Sequence, residues 1–223
     1  MKFLNALKTF CVDLYNREKV KMNPLLILIH PIDTVEEMKE KRNGSVFWAT
    51  VLLFLFTVSE IVVTVAKGFL FNSAKADDFN LFYVLMRSCL LVLLYVVGNW
   101  ALCTLFEGEG RMVDIYVYTC YCLTPLTLYR IFDTIFSNVV TSDEYVFINM
   151  VNACAWIWFL AMLTFSMKRL HNYTMGKTIL CMLFSVVAMA IIFFLIYLFV
   201  ILVQQLATFV MTIYTEIVMR TQG

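Results

Sequence analysis

The sequence predicts an all-α polytopic membrane protein, with five transmembrane helices behind an N-terminal interfacial amphipathic region. Three observations carry that reading. The chain is 62% hydrophobic and only 15% charged, with a mean hydropathy of +0.83, and a soluble domain of this length cannot hide so much apolar surface. Apolar runs long enough to cross a bilayer recur along it. Lysine and arginine are shared unequally between the connections that join those runs.

Residues 1–45 form a separate cytoplasmic or interfacial region. Phe3, Leu7, Phe10 and Leu14 recur at helical spacing among Lys2, Lys8, Arg17, Lys19 and Lys21. Such a basic amphipathic helix is too charged to span and lies in the interface plane, held by anionic lipid or docked on a partner's groove. The apolar stretch Pro24 to His30 is too short to cross, and Pro31 ends it. His30 reads as a structural cap or as a pH sensor. Thr34 and Glu37 form a capping box for a further short helix that closes on a basic turn before Gly44.

Residues 46–223 form the transmembrane domain, with spans expected at about 46–66, 81–106, 113–136, 145–167 and 178–203. The last run stays helix-compatible to about Met219 and projects beyond the membrane. The second and third spans are joined by a turn of about five residues, Glu107 to Arg111, which forces an antiparallel hairpin. Gly108 and Gly110 are expected to supply the turn through positive φ, which glycine adopts without penalty. Asn99, Trp100, Arg111 and Asp114 gather at the same cytoplasmic end; Asp114 favours the helix dipole from the first turn of its span. The Gly-Glu-Gly sequence lacks the strand-loop-helix context of a phosphate loop, so a tight turn explains it better. Pro125, midway along the third span, removes a backbone bond and should kink that helix.

Orientation follows from the basic residues. With the N-terminus inside, twelve of the 17 lysines and arginines fall in inner segments. Three, Lys67, Lys75 and Arg220, fall outside, and Arg87 and Arg130 lie within spans. The N-terminus is therefore expected in the cytoplasm and the C-terminus outside.

Ionisable groups in hydrocarbon cost roughly 2.5–3.5 kcal/mol each and need a partner or a purpose. Glu60, Arg87 and Arg130 each lie six residues from the outer end of their span, which puts all three about 9 Å below the outer surface. Asp133, Asn149 and Asn152 are slightly shallower in the same layer. The layer is either an internal ion-pair network or the lining of a polar cavity in the outer leaflet.

No catalytic constellation is present: there is no HExxH or GxSxG, and Asp114 and Asp133 stand at opposite ends of one span. The seven cysteines make no CxxC pair, and only two histidines, His30 and His171, are available, so no metal site and no cofactor are expected. An enzyme is not expected.

The chain resembles the Yip family of Ypt/Rab-interacting membrane proteins, most closely its prokaryotic branch. The resemblance rests on Leu26 to Pro31 ending in His30-Pro31, Gly44-Ser45, Asn99-Trp100, Gly108-Glu109-Gly110, Asp114-Ile115-Tyr116, Tyr121 to Pro125 and Glu216 to Arg220. It implies a five-helix integral membrane protein with a cytoplasmic N-terminus, here in a bacterial-type cytoplasmic membrane. Eukaryotic relatives bind small GTPases and carry an Asp-Leu-Tyr-Gly-Pro motif. Here Asp13-Leu14-Tyr15 is followed by Asn16-Arg17, so that motif is incomplete. The expected function is a non-enzymatic scaffold or accessory subunit. Its expected partners are membrane lipids and other integral membrane proteins, such as a transporter permease, and no nucleic acid. The alternative is a small transporter, channel or lipid-handling protein that uses the outer-leaflet polar cavity.

Overall fold

The computed structural model describes residues 38, 44–68, 71, 80–141 and 144–222. The interfacial arm, with Phe3, Leu7, Phe10, Leu14, His30 and Pro31, lies outside the described residues. Among those described there are six α-helices: α1 (Val46–Ala66), α2 (Leu81–Leu105), α3 (Met112–Cys122), α4 (Thr124–Phe136), α5 (Tyr145–His171) and α6 (Met175–Gln222). Four of them, α1, α2, α5 and α6, are long and apolar enough to cross a membrane.

Local chemistry sets the helix ends. Ser45 and Asn80 cap α1 and α2 by accepting from the amides of Trp48 and Tyr83. The helix α5 stops at Asn172 in the left-handed conformation, φ 55°, after a basic last turn of Lys168, Arg169 and His171.

The expected third span is two helices, α3 and α4, meeting at Leu123. The cause is Pro125, which lacks an amide hydrogen and whose ring collides with the carbonyl four residues back. That carbonyl, on Tyr121, instead accepts from the Thr124 hydroxyl at 2.6 Å, and the Leu123 amide turns back to Cys120 O. Hydroxyl side chains thus satisfy the backbone that the proline releases.

This broken rod is the centre of the molecule. Every residue from Val117 to Thr127 is buried, so neighbours must surround it. Thr50 meets Tyr116 at one end of α1, while Lys67 and Gly68 meet Asp133 and Ser137 at the other. The α3–α4 rod therefore runs parallel to α1 along its whole length. The helix α5 returns antiparallel, with Tyr145 at Asp133, Ser166 at Cys122 and His171 at Gly110. The helix α6 lies chiefly against α2, through Asn99–Ser185 and Cys103–Cys181.

Two glycines mark close backbone approaches. A β-carbon at Gly98 would stand 3.3 Å from the Met189 amide and the Ser185 carbonyl, so α2 and α6 touch there. At Gly68 it would overlap the Ser137 carbonyl, where the end of α1 meets the end of α4. Gly68→Ala should lower stability by about 1–3 kcal/mol, because backbone rather than a flexible side chain must move. Gly176→Ala, with nothing within 4 Å, should be neutral or slightly stabilising. Thermal unfolding of the two variants in detergent checks the contrast, and equal midpoints would remove the Gly68–Ser137 contact as a constraint.

Candidate functional site

Three charged residues from three helices meet at one depth. Glu60 on α1 is only 7% exposed. Arg130 Nε on α4 lies 2.6 Å from its Oε1, and Arg87 Nη2 on α2 lies 3.3 Å from its Oε2. Glu60 Oε1 has no aligned hydrogen bond, so the Arg130 contact is a charge pair rather than a linear donor–acceptor bond. One carboxylate faces two guanidiniums, and the cluster keeps one net positive charge. Arg87 is the outermost member, with its side chain half exposed.

Asp133 takes no part in that cluster. It is 1% exposed, pairs with Lys67 Nζ at 3.0 Å and accepts from the Tyr145 hydroxyl at 3.4 Å. Burial works against the Lys67 ammonium, but bonds to Tyr145 and Asp133 and the Asp133 charge outweigh it and hold its pKa above the usual lysine value. The layer expected from depth alone is therefore two separate units, because depth says nothing about which way a helix face points. Asn149 is exposed, and Asn152 has a buried side-chain oxygen without a hydrogen-bond partner.

Beside the Glu60 cluster lies a cavity of about 630 Å³. Its polar end is Glu60, Arg87 and Arg130; its body is apolar, with Leu91, Val92, Leu123 and Leu126 on one side and Trp156, Phe159, Leu160 and Leu163 on another. The α6 residues Met182, Val186 and Met189 form a third wall. Leu91, Trp156, Leu160 and Val186 are exposed at its rim, so it opens sideways, between α5 and the α2–α6 pair. Tyr95 also lines it, and the Tyr95 hydroxyl is buried without a hydrogen-bond partner. Sequence reasoning missed Tyr95, since one tyrosine inside an apolar run carries no signal of its own.

At the other end, the hairpin between α2 and α3 is packed rather than open. The positive φ belongs to Glu107, at 57°, and neither Gly108 nor Gly110 has one. This corrects the expected role of those glycines: they are needed because side chains press on them. A β-carbon at Gly108 would stand 2.6 Å from His171 Nδ1 and from the Tyr173 hydroxyl, and one at Gly110 would stand 2.5 Å from His171 Cε1. The Gly110 amide donates to His171 Nδ1 at 3.2 Å, and Tyr173 stacks on His171 while donating to Phe106 O. Burial pushes the Tyr173 phenol above its usual pKa. His171 and Tyr173 were missed as hairpin residues, although they begin the connection at the same end of the bundle.

Asn99 is buried between α2 and α6, donating to Ser185 Oγ at 3.1 Å, whereas Trp100 is exposed. Arg111 is exposed at the start of α3, and Asp114 lies in its first turn. Among the described residues, no group of three or more His, Cys, Asp or Glu side chains could hold a metal ion.

The sequence model of the Yip1 domain matches residues 25–198, which takes in α1 to α5 and the first half of α6. The chain belongs to the Yip1 domain family. No curated protein and no solved structure matches it. Within the Yip1 domain lie the Glu60 cluster, the cavity and the packed hairpin; residues 199–222 of α6 lie beyond it.

The charge cluster has an unequal hierarchy. Glu60→Gln leaves two guanidiniums facing each other and should cost about 3–5 kcal/mol. Arg87→Gln removes an exposed partner and should cost less than about 1 kcal/mol. Unfolding of both variants in the same detergent measures the difference; equal losses would mean that Glu60 does not organise the cluster.

Proposed function

We propose that this Yip1 domain protein is a non-enzymatic membrane scaffold or accessory subunit that binds another integral membrane protein through α6. One observation carries the reading. The helix is 48 residues long, about 72 Å at 1.5 Å per residue, whereas the hydrocarbon core of a bilayer is about 30 Å thick. In the topology we propose, α3 and α4 together make the third of five crossings, the N-terminus is cytoplasmic, and α6 crosses last. Roughly its second half then projects past the outer surface.

That half is not a water-facing helix. Leu202, Leu206, Phe209, Val210, Met211, Tyr214 and Ile217 are all exposed, and at 3.6 residues per turn they cover a broad face, more than half of the helix circumference. An exposed apolar face that broad needs a cover. Gln204, Thr208, Thr212 and Thr215 form a seam of smaller and polar residues along it. The three threonine hydroxyls bond to their own helix carbonyls, so the seam is narrow and allows close approach. The partner that fits is an apolar helix of another membrane protein, such as a transporter permease, with small residues facing this seam.

The test is a mild-detergent purification of the full chain from native membranes, beside a chain lacking residues 200–223 and a Thr208→Leu/Thr212→Leu variant. The full chain should bring down one integral membrane protein at stoichiometric yield, and both variants should lose it while remaining folded. Recovery of no partner, or the same partner with all three chains, would sink the reading. A second reading, lipid handling, is favoured by the sideways-opening cavity, which is too apolar for an aqueous ion path; it is taken further below as binding.

A further inference from the structure

The geometry points to a binding site for a single-headed anionic amphiphile in the cavity beside Glu60, with the head at Arg87 and Arg130 and the chain along the apolar walls. This goes beyond the scaffold reading and stands if that reading fails.

The charge count comes first. Glu60 is buried and can neutralise only one of the two guanidiniums it touches. The unbalanced positive charge is at the cavity's polar end, and Arg87 reaches Glu60 through one nitrogen at 3.3 Å with its side chain half exposed. A guanidinium has five N–H donors in a planar fork suited to carboxylate or phosphate. A neutral or cationic head would leave that charge uncompensated; an anionic head completes it.

The shape comes second. Along α2, Tyr95 lies eight residues beyond Arg87, about 12 Å deeper by helical rise. Between them the cavity is walled by Ser88, Leu91 and Val92, and the Ser88 hydroxyl is turned back to its own helix at Val84 O, so polarity falls off away from the head position. At about 630 Å³ it is within the usual range for small-molecule sites. Its rim opens to the side of the bundle, which is how a chain enters from a bilayer without its head leaving the interface.

A packing gap would account for neither of two polar features. Gaps between membrane helices are lined by aliphatic groups, whereas this one ends in a buried carboxylate held by arginines from two helices. It also carries on its wall the Tyr95 hydroxyl, buried with no hydrogen-bond partner among the described residues. The carboxylate acts as a positioning group: it fixes both guanidiniums while leaving one of them in charge excess.

The anionic head can be the phosphodiester of a membrane lipid or the carboxylate of a free fatty acid. Native mass spectrometry of the delipidated full chain distinguishes them, with phosphatidylglycerol, oleate and phosphatidylcholine added in separate arms. One equivalent of phosphatidylglycerol or of oleate should be retained, and the arm that retains it names the source. Phosphatidylcholine should be retained about tenfold less. Arg87→Gln, at a half-exposed position, should fold and lose about tenfold in retention, whereas Arg220→Gln, at an exposed residue paired with Glu216, should not change it. Leu91→Trp, at the rim, should block the chain and abolish retention without altering the charges. As a second readout, the retained amphiphile should raise the thermal midpoint of the wild type and not of Leu91→Trp. Equal retention of all three amphiphiles, or retention unchanged in Arg87→Gln, would overturn the proposal and leave ordinary lipid chains lying against a groove.

Discussion

A carboxylate buried among apolar helices has to be paired, and in this protein that requirement ties three helices together. Glu60 is buried and paired with Arg130, and Arg130 comes from the rod that everything else surrounds. Arg87 closes the arrangement from α2. Hydrophobic packing cannot fix rotation about a helix axis in lipid, since tails are as apolar as side chains. A charge pair can, because every other rotation of α1 or α4 leaves a charge in hydrocarbon. The cluster therefore sets the faces that α1, α2 and α4 turn inward.

Given those faces, the rest of the packing divides into closed ends and an open side. At one end Lys67, Asp133, Tyr145 and Ser137 knot α1, α4 and α5 together. At the other, His171 and Tyr173 press on glycines that have no side chain to resist them. The α2–α6 seam is closed by Gly98 against backbone and by Asn99 on Ser185. What stays open is the side between α5 and the α2–α6 pair, and that is where the cavity lies. Its position follows from three close contacts elsewhere.

The level of a residue along the bundle was legible in the sequence, and helix rotation was not. Counting residues from the ends of the apolar runs places Glu60, Arg87 and Arg130 at one level, and the structure brings those three side chains together. The same counting puts Asp133 and Asn149 slightly shallower in that layer, where Asp133 turns to Lys67 and Asn149 is exposed. The rise per residue is fixed, so depth can be computed; the face needs an apolar stripe, and runs such as α5 and α6 are hydrophobic all round. Tyr95 and Ser185 were invisible for the same reason. The hairpin glycines show a different gap. Their need for a missing side chain was readable, but its cause was not, because the pressing group, His171, comes some 60 residues later. Pro125 was readable as a disturbance, while the one-residue interruption at Leu123 also depends on Thr124 being there to take the Tyr121 carbonyl.

The helix α6 joins the two parts of the molecule that the bundle leaves unsatisfied. In its first half it is held to α2 by Cys181, Ser185 and Met189 and walls the cavity with Met182, Val186 and Met189. Beyond residue 198 it leaves the Yip1 domain and continues as an apolar rod with no neighbour among the described residues. A continuous helix is stiff over this length, and no proline or glycine follows Gly176 within it to act as a hinge. A partner on the second half, as proposed, would therefore also constrain the first. The wall that α6 gives the cavity is fixed from within by the Gly98 contact, and the proposed partner on residues 199–222 would hold the same rod from its other end.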